Sequence, residues 1–478
     1  MNLEAPYSAT RKRSFPKKGS KGSRTIEIAN FSDRVREKLI EIAITPWIER
    51  ELAPVQFGFR QGRGQQDAIA YLRLLLSGHG PKWVVDADIS KFFDKILHSG
   101  VLDSLRALNP PKELINYISS WLNQRDKLGK KSGRGLPQGS PLSPVLANLA
   151  ICKLPQHLSL GKGEQVIIYA DDLVCLTKSQ DRAERIYLNI DTHLQTLGLT
   201  LSKEKSSIRH TMDQVNGHKP GFHFLGVRFW HGLTNKDGTT KPYALAMPSK
   251  ENVNALKQEL KEIVKQTTVC KKYKDSKNLQ RPFERMIKKL NAKLRGFGNY
   301  YRHTNAKRTF GKIDSYMHDT LLRKAFKVFK GQPRARIVRR YFSGVSRDKQ
   351  GNPLKKQNGE ERKRKWIFQD PLHKGAGHPL TVIKLADIRV GTHTMVKHER
   401  SYFDGDWIYW NTRGSGRYRG TPQGINATAI RRQQGKCPLC KKPLIQKETE
   451  LTQHLGQDGK EQVIHIQCLS HIEPQSGV

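Results

Sequence analysis

The chain has 478 residues and a formal charge of +42, from 85 Lys and Arg against 43 Asp and Glu. That length fits several cores, with two to four domains the natural prior, and a charge of that size self-repels unless a polyanion neutralises it, so nucleic acid is the expected partner. No apolar run reaches the roughly eighteen residues a spanning helix needs. The polar, basic start does not read as a secretory signal. Six cysteines in so long a chain build no disulfide framework, which points to a reducing, intracellular setting.

Residues 11–24 are a basic, hairpin-like stretch leading into a short strand, Thr25 to Ile28. Its lysines and arginines suit a triphosphate grip or, equally, a generic basic tail. Ser32 or Asp33 caps a predicted helix whose apolar positions Val35, Leu39, Ile42 and Ala43 keep helical spacing, ending near Pro46. Next comes Phe57-Gly-Phe-Arg-Gln-Gly-Arg-Gly64, opening an amphipathic helix through Leu76. Glycines before a helix N-terminus, with Arg60 and Arg63, make a weak motif for a phosphate or template-backbone cradle.

Trp83 to Asp94 begins as a strand, on which Asp86 and Asp88 share one face. Helical segments follow at Val101 to Ala107 and Leu114 to Leu122, and then a Gly/Pro loop from Gly133 feeds a helix. Val166 to Thr177 places Asp171 and Asp172 between two apolar runs, the pattern of buried strands joined by a tight hairpin tip. Adjacent carboxylates on rigid strands suit Mg²⁺, and either Asp86 or Asp88 is positioned to supply a third. Ala183, Ile186, Tyr187, Ile190, Leu194 and Leu197 line a helix face closed by Gly198, with a strand expected from Leu199. Phe222 to Trp230 reads as one strand, with Gly226 where backbone passes close to a ligand. Three amphipathic helices are then expected, one marked by Val253, Leu256, Leu260 and Ile263, one by Phe283 to Leu294, and one by Ile313 to Leu321. The run Leu294 to His303 mixes basic and aromatic side chains suited to stacking on bases. Residues 323–366 are dense in Lys and Arg, with Gly351 to Lys365 reading as a flexible insertion. Cys437 and Cys440, with His465 and Cys468, have the count and spacing of a structural tetrahedral zinc site.

Taken in order, the Lys-Arg loop, FGFRQGRGQQDAI, DADISKFFD, GLPQGSPLSPVLANL, YADD, LGLTLSKEKS and FLGVRF resemble a reverse transcriptase, specifically the protein encoded by bacterial and organellar group II introns. The resemblance covers about residues 10–230 and implies an α+β right-hand fold. Four segments are expected: fingers and palm over residues 1–240, a helical thumb or maturase domain over 241–330, a basic DNA-binding region over 331–425, and an HNH-like zinc finger over 426–478. The resemblance also implies a further segment ahead of the Lys-Arg loop, which here begins near residue 11. By resemblance, Asp88, Asp171 and Asp172 hold Mg²⁺. Phe93 blocks a 2′-hydroxyl, and Gln138 and Gly139 line the nucleotide pocket. Lys17, Lys18 and Arg24 grip the dNTP triphosphate. Arg60, Arg63, Arg295, Tyr300, Tyr301 and Arg302 are the expected RNA contacts. The implied partners are intron RNA, target DNA and dNTPs, with no membrane, in a cytoplasmic, nucleoid-associated or organellar setting. A polymerase-inactive splicing cofactor, or a reverse transcriptase of a retron-like or defence lineage, is the alternative. Ser401 to Arg413 resembles the segment ahead of the family's endonuclease, and reads either as a DNA contact or as a small core around Trp407, Tyr409 and Trp410. In the finger, His454 matches a general base, but Gln453, Lys460 and Leu469 stand where the nuclease needs a metal-binding residue, an Asn and a His. DNA cleavage is therefore expected to be lost.

Overall fold

The computed structural model describes residues 11–16, 23–78, 80–129, 133–236, 239–267 and 280–345 apart from short stretches beyond, which extend to residue 471. The chain forms two compact units, both discontinuous: residues 1–71, 83–208 and 393–478 make the first, and 72–82 with 209–392 the second.

The first unit opens with a hairpin, β1 (Arg11–Pro16) and β2 (Ser23–Ile28), paired so that Arg11 faces Ile28 and Pro16 faces Ser23. The expected basic hairpin is therefore present, while Lys17 and Lys18 lie outside the described residues. α1 (Phe31–Glu51) is capped by Asn30, whose side chain accepts from the Asp33 amide, and it runs through Pro46 without stopping. The sequence reading mistook its faces. Leu39 and Ile42 are 48% and 54% exposed, and the buried side carries Asp33, Arg36, Glu37 and Glu49 beside Ile40, Ile44 and Ile48. Those charges are tolerated because each finds a partner indoors. Asp33 takes Arg36, Glu37 accepts from Trp121 Nε1 at 2.9 Å, and Glu49 takes Arg60.

α2 (Gln65–Leu76) precedes β3 (Trp83–Asp88), followed by α3 (Phe92–Lys95), α4 (His98–Ala107), α5 (Lys112–Gly129), α6 (Leu142–Ala150) and α7 (Leu154–His157). The hairpin β4 (Gln165–Tyr169) and β5 (Asp172–Thr177) then leads to α8 (Gln180–Thr196) and β6 (Ser207–His210). These strands form a four-stranded sheet ordered β4-β5-β3-β6. Its core joins Val85, Ala87, Ile168, Leu173 and Cys175 to Leu142, Leu146 and Leu149 of α6, and to Ala183, Ile186, Ile190 and Leu194 of α8. Gly198, at φ +72°, ends the α8 turn as expected, but Leu201 makes only an isolated bridge to Ile89, and the strand forms six residues later.

In the second unit, β7 (Phe222–Phe224), β8 (Val227–Lys236) and β9 (Thr239–Pro248) form an antiparallel sheet. Leu225 and Gly226 both have positive φ, so the stretch expected as one strand is a tight hairpin. The three expected helices form: α9 (Lys250–Gln266), α10 (Gln280–Tyr301) and α11 (Lys307–Val328). α12 (Arg334–Tyr341), β10 (Phe342–Val345), β11 (Lys363–Asp370) and β12 (Leu380–Thr381) complete the unit. Most of the expected insertion lies outside the described residues, and its last three residues begin β11.

Near the C-terminus, β13 (Leu451–Leu455) pairs with β14 (Glu461–His465), placing His454 opposite Gln462. Ala429, Leu444, Val463 and Ile464 are fully buried around Cys437.

Candidate active site and zinc cluster

β3 lies antiparallel to β5, and the register sets Asp88 directly opposite Asp172, while Asp86 faces Val174. Of the two strand acids, Asp88, the one the resemblance singles out, is the one paired with a hairpin aspartate. Asp171 sits at the tip of the β4–β5 hairpin, where Ala170 takes the left-handed conformation at φ +57°. The tip is pinned from both sides: Ile89 N donates to Asp171 O at 3.0 Å, and Phe57 N donates to Ile168 O at 2.8 Å. Gly58 closes over it so tightly that a Cβ would come within 2.6 Å of Ala170 N. That close approach is what the glycine of the Phe-Gly-Phe-Arg motif is for.

Asp88 and Asp172 at paired strand positions, with Asp171 at the hairpin tip, are therefore near enough for their charges to act on one another. Burial pushes the Asp172 carboxyl up to about 7, with the charges of Asp171 and Asp88 adding to the effect and Lys205 opposing it. Lys205 was not recognised as a site residue from sequence. Its Nζ donates to Asp88 Oδ1 at 2.9 Å and Oδ2 at 2.8 Å, although 117 positions separate the two. Lys205 loses solvent there, yet Asp88, Asp171 and Asp172 hold its ammonium above the usual lysine range. An ammonium against Asp88 balances part of the charge that a divalent cation would neutralise, and the all-carboxylate donor set fits Mg²⁺.

The strain among these acids carries a pH signature. The folded chain keeps the Asp172 proton to about pH 7, whereas the unfolded chain releases it near pH 4. The group's penalty is absent below that window, grows as pH rises through it, and is full above it. Asp172→Asn should thus melt at the same temperature as the parent protein near pH 4 and progressively higher towards pH 8 in metal-free buffer. A constant difference across that range, followed by calorimetry, would refute the assignment.

The loop before α6 is tied to both neighbours of this site. Leu136 N donates to Phe93 O at 2.7 Å, and Glu27 N donates to Gln138 O at 2.7 Å. Gly139, at φ +123°, leaves room for β2, since a Cβ would lie 2.4 Å from Glu27 O. Phe93 is half-buried, edge-on to Phe59 with ring centroids 5.9 Å apart. Arg24 belongs to β2, and its side chain lies outside the described residues.

Four of the expected RNA contacts are engaged by the protein itself. Arg60 is 7% exposed, and its guanidinium is taken up by Glu49 and by the carbonyls of Ala53 and Gln56. Arg63 is also buried and donates to Pro54 O and Arg400 O at 3.0 and 2.9 Å. Tyr300 donates to Leu225 O at 2.8 Å, and Tyr301, 3% exposed, donates to Gly226 O at 3.0 Å. The aromatic pair satisfies the carbonyls of the β7–β8 turn. Arg295 and Arg302 are half-buried. Trp410 is 8% exposed and packs on Gly62, so the Ser401–Arg413 stretch builds a small core; Trp407 lies outside the described residues.

The ligand atoms of Cys437, Cys440, His465 and Cys468 all lie within 4.8 Å of one another. Three thiols and an imidazole converging so closely are a donor set for tetrahedral Zn²⁺. Purified protein should carry about one zinc per chain, and Cys468→Ser should lose it, with faster amide exchange confined to residues 429–471. Equal zinc content in the two proteins, read by elemental mass spectrometry, would overturn this.

The profile of the family described as Reverse transcriptase (RNA-dependent DNA polymerase) matches residues 15–229, the same stretch that folds into the carboxylate-bearing sheet. The fold and site thus define the chain as a reverse transcriptase by class. The profile described as Group II intron, maturase-specific domain matches residues 253–342, so a reverse transcriptase domain is followed in this chain by a group II intron maturase-specific domain. Protein YkfC of Escherichia coli K12 is 24% identical over 254 residues, 45% of this chain and 65% of that protein. The group II intron-encoded protein LtrA of Lactococcus lactis subsp. cremoris is 27% identical over 151 residues, 31% of this chain and 25% of LtrA. The R2 retrotransposable-element Pol polyprotein of Nasonia vitripennis is 31% identical over 154 residues, 29% of this chain and 15% of that polyprotein. The chain therefore spans less than two thirds of each of these relatives. Among solved structures, Candida tropicalis telomerase with a fragment of telomeric RNA aligns at a TM-score of 0.38 and 11% identity, over 70% of this chain and 64% of that one, a likeness too loose to define anything. Among the described residues no helix is long and apolar enough to cross a membrane.

Proposed function

We propose that this chain is an RNA-directed DNA polymerase and intron maturase, which binds group II intron RNA, assists its splicing and copies it into DNA. The observation that carries the reading is the pairing of Asp88 with Asp172 across neighbouring strands, with Asp171 at the adjoining hairpin tip and the Asp172 carboxyl raised to about 7 by burial and by its acidic neighbours. Mg²⁺ bound there supplies charge neutralisation at the attacking 3′-oxygen and at the pyrophosphate leaving group. The three carboxylates orient that charge. Phe93 walls the sugar side of the incoming dNTP, and Gln138 and Gly139 shape its pocket beneath β2. Lys17, Lys18 and Arg24 are assigned to the triphosphate. Arg295 and Arg302 remain as intron RNA contacts.

The four-segment division carries over as part of this reading: fingers and palm to residue 240, thumb to 330, a basic target-DNA region to 425, and a terminal finger. Zn²⁺ is structural in that finger, and Gln453, Lys460 and Leu469 leave it without nuclease ligands. The setting is nucleoid-associated or organellar.

The test is primer extension on an RNA template with dNTPs and Mg²⁺, beside an Asp171→Ala, Asp172→Ala variant. Extension by the parent protein and its loss in the variant are expected. No extension by either, with specific intron RNA binding retained, would replace this reading with a splicing cofactor.

A further inference from the structure

A cleft of about 570 Å³ lies in the first unit, between the loop at residues 61–67 and the stretch from His393 to Arg413. Its size falls within the roughly 300–1,000 Å³ of small-ligand sites. Among the described residues it shares no lining residue with the carboxylate cluster.

The walls are built firmly. Trp410 covers Gly62, where a Cβ would lie 2.4 Å from the indole, and its Nε1 donates to Ser401 O at 2.9 Å. Asp67 holds the two sides together: its Oδ1 accepts from Val396 N at 2.9 Å, lies 3.2 Å from His393 Nε2 and takes an Arg413 Nη2 proton, while its Oδ2 accepts from Gly64 N at 2.9 Å. Arg413 Nη1 donates to Gly62 O at 2.7 Å. Among the described lining residues the one acidic group is thus committed to the wall. Arg413 Nε is buried without a hydrogen-bond partner, Gln61 and Gln66 bring amides to the lining, and the Tyr402 ring is 47% exposed.

This combination is chemically selective. An exposed aromatic face stacks on a flat base, and a carboxamide presents a donor beside an acceptor, the complement of a nucleobase edge. An apolar ligand would leave the amides unpaired at a cost, and a small anion would not use the aromatic wall. We propose that this cleft binds one unstacked nucleotide of a single-stranded polynucleotide, its base on Tyr402 and its edge read by Gln61 and Gln66.

A chain of charge +42 binds nucleic acid over much of its surface, so the site has to be mapped rather than inferred from bulk affinity. Full-length protein is irradiated at high salt with single strands of about twelve nucleotides, RNA and DNA, carrying 5-iodouridine, and the adducts are located by peptide mass spectrometry. Adducts on Tyr402 or Trp410 are expected, in the parent protein and in Asp171→Ala, Asp172→Ala alike, so loss of polymerase activity leaves the result intact. Protection by unlabelled strand but not by free UMP assigns the source to a polynucleotide, and equal protection by UMP assigns it to free nucleotide. Tyr402→Ala, at an exposed position, should keep its melting temperature and weaken strand binding about 5- to 100-fold without changing the salt slope. Adducts confined to other peptides, together with unchanged affinity of Tyr402→Ala, would overturn the proposal.

Discussion

Primer extension by the Asp171→Ala, Asp172→Ala variant should fall by about 10³-fold or more, with RNA affinity within a few-fold of the parent protein. Metal-assisted stabilisation at a reacting phosphoryl group is worth several kcal/mol, and each 1.4 kcal/mol is roughly a tenfold change in rate. Asp172 is held in an environment unfavourable to its charge. Asp172 faces Asp88 across the ladder, and its carboxyl is already driven up to about 7 by burial and by those neighbours. Removing both acids relieves repulsion, so the inactive protein should melt no lower than the parent. A rate loss with a raised or equal melting temperature separates chemistry from folding damage. Lys205→Ala gives the complementary case: Asp88 loses the ammonium at 2.8 Å, and the acid cluster gains uncompensated charge. In metal-free buffer that variant should be the less stable one, and added Mg²⁺ should restore most of the difference. A single-turnover assay beside a thermal melt reads both quantities.

What the sequence conveyed about this site follows from the length scale of each feature. The acid hairpin was legible because strand periodicity and a two-residue tip are local properties. Strand alternation alone left Asp86 and Asp88 equivalent; the family motif chose Asp88, and the β3–β5 register sets that residue opposite Asp172. Lys205 and Arg413 were out of reach of any local pattern, each acting on a partner more than a hundred positions away. α1 failed differently. Its exposed Leu39 and Ile42 keep helical spacing, and its buried face is polar because Asp33, Glu37 and Glu49 all find donors inside. An apolar periodicity identifies the inner face only when the interior is apolar. Tyr300 and Tyr301 have contacts that composition could not show. Composition suggested stacking on bases, but the Leu225–Gly226 turn exposes two carbonyls that those hydroxyls satisfy.

Arg60→Ala is expected to destabilise the protein by about 3–5 kcal/mol, far more than loss of a surface RNA contact would. Both members of the Arg60–Glu49 pair have side chains 3% exposed, with Nη2 to Oε1 at 2.6 Å. Truncating the arginine leaves a buried carboxylate without its cation, and the carbonyls of Ala53 and Gln56 lose donors at 2.7 and 2.8 Å. At roughly 2–4 °C per kcal/mol for a unit of this size, the melting temperature should drop by about 10 °C. Arg60→Lys keeps the charge but not the forked geometry that serves Glu49 and two carbonyls together, so it should recover only part of the loss. Replacing the pair with Glu49→Leu and Arg60→Met should recover most of it, because the desolvation cost disappears with the charges. If Arg60 instead bound RNA, Arg60→Ala would leave the melt unchanged and reduce the salt slope of RNA binding by about one. A double-mutant cycle in thermal stability, run beside a salt titration of RNA binding, distinguishes the two roles in one set of proteins.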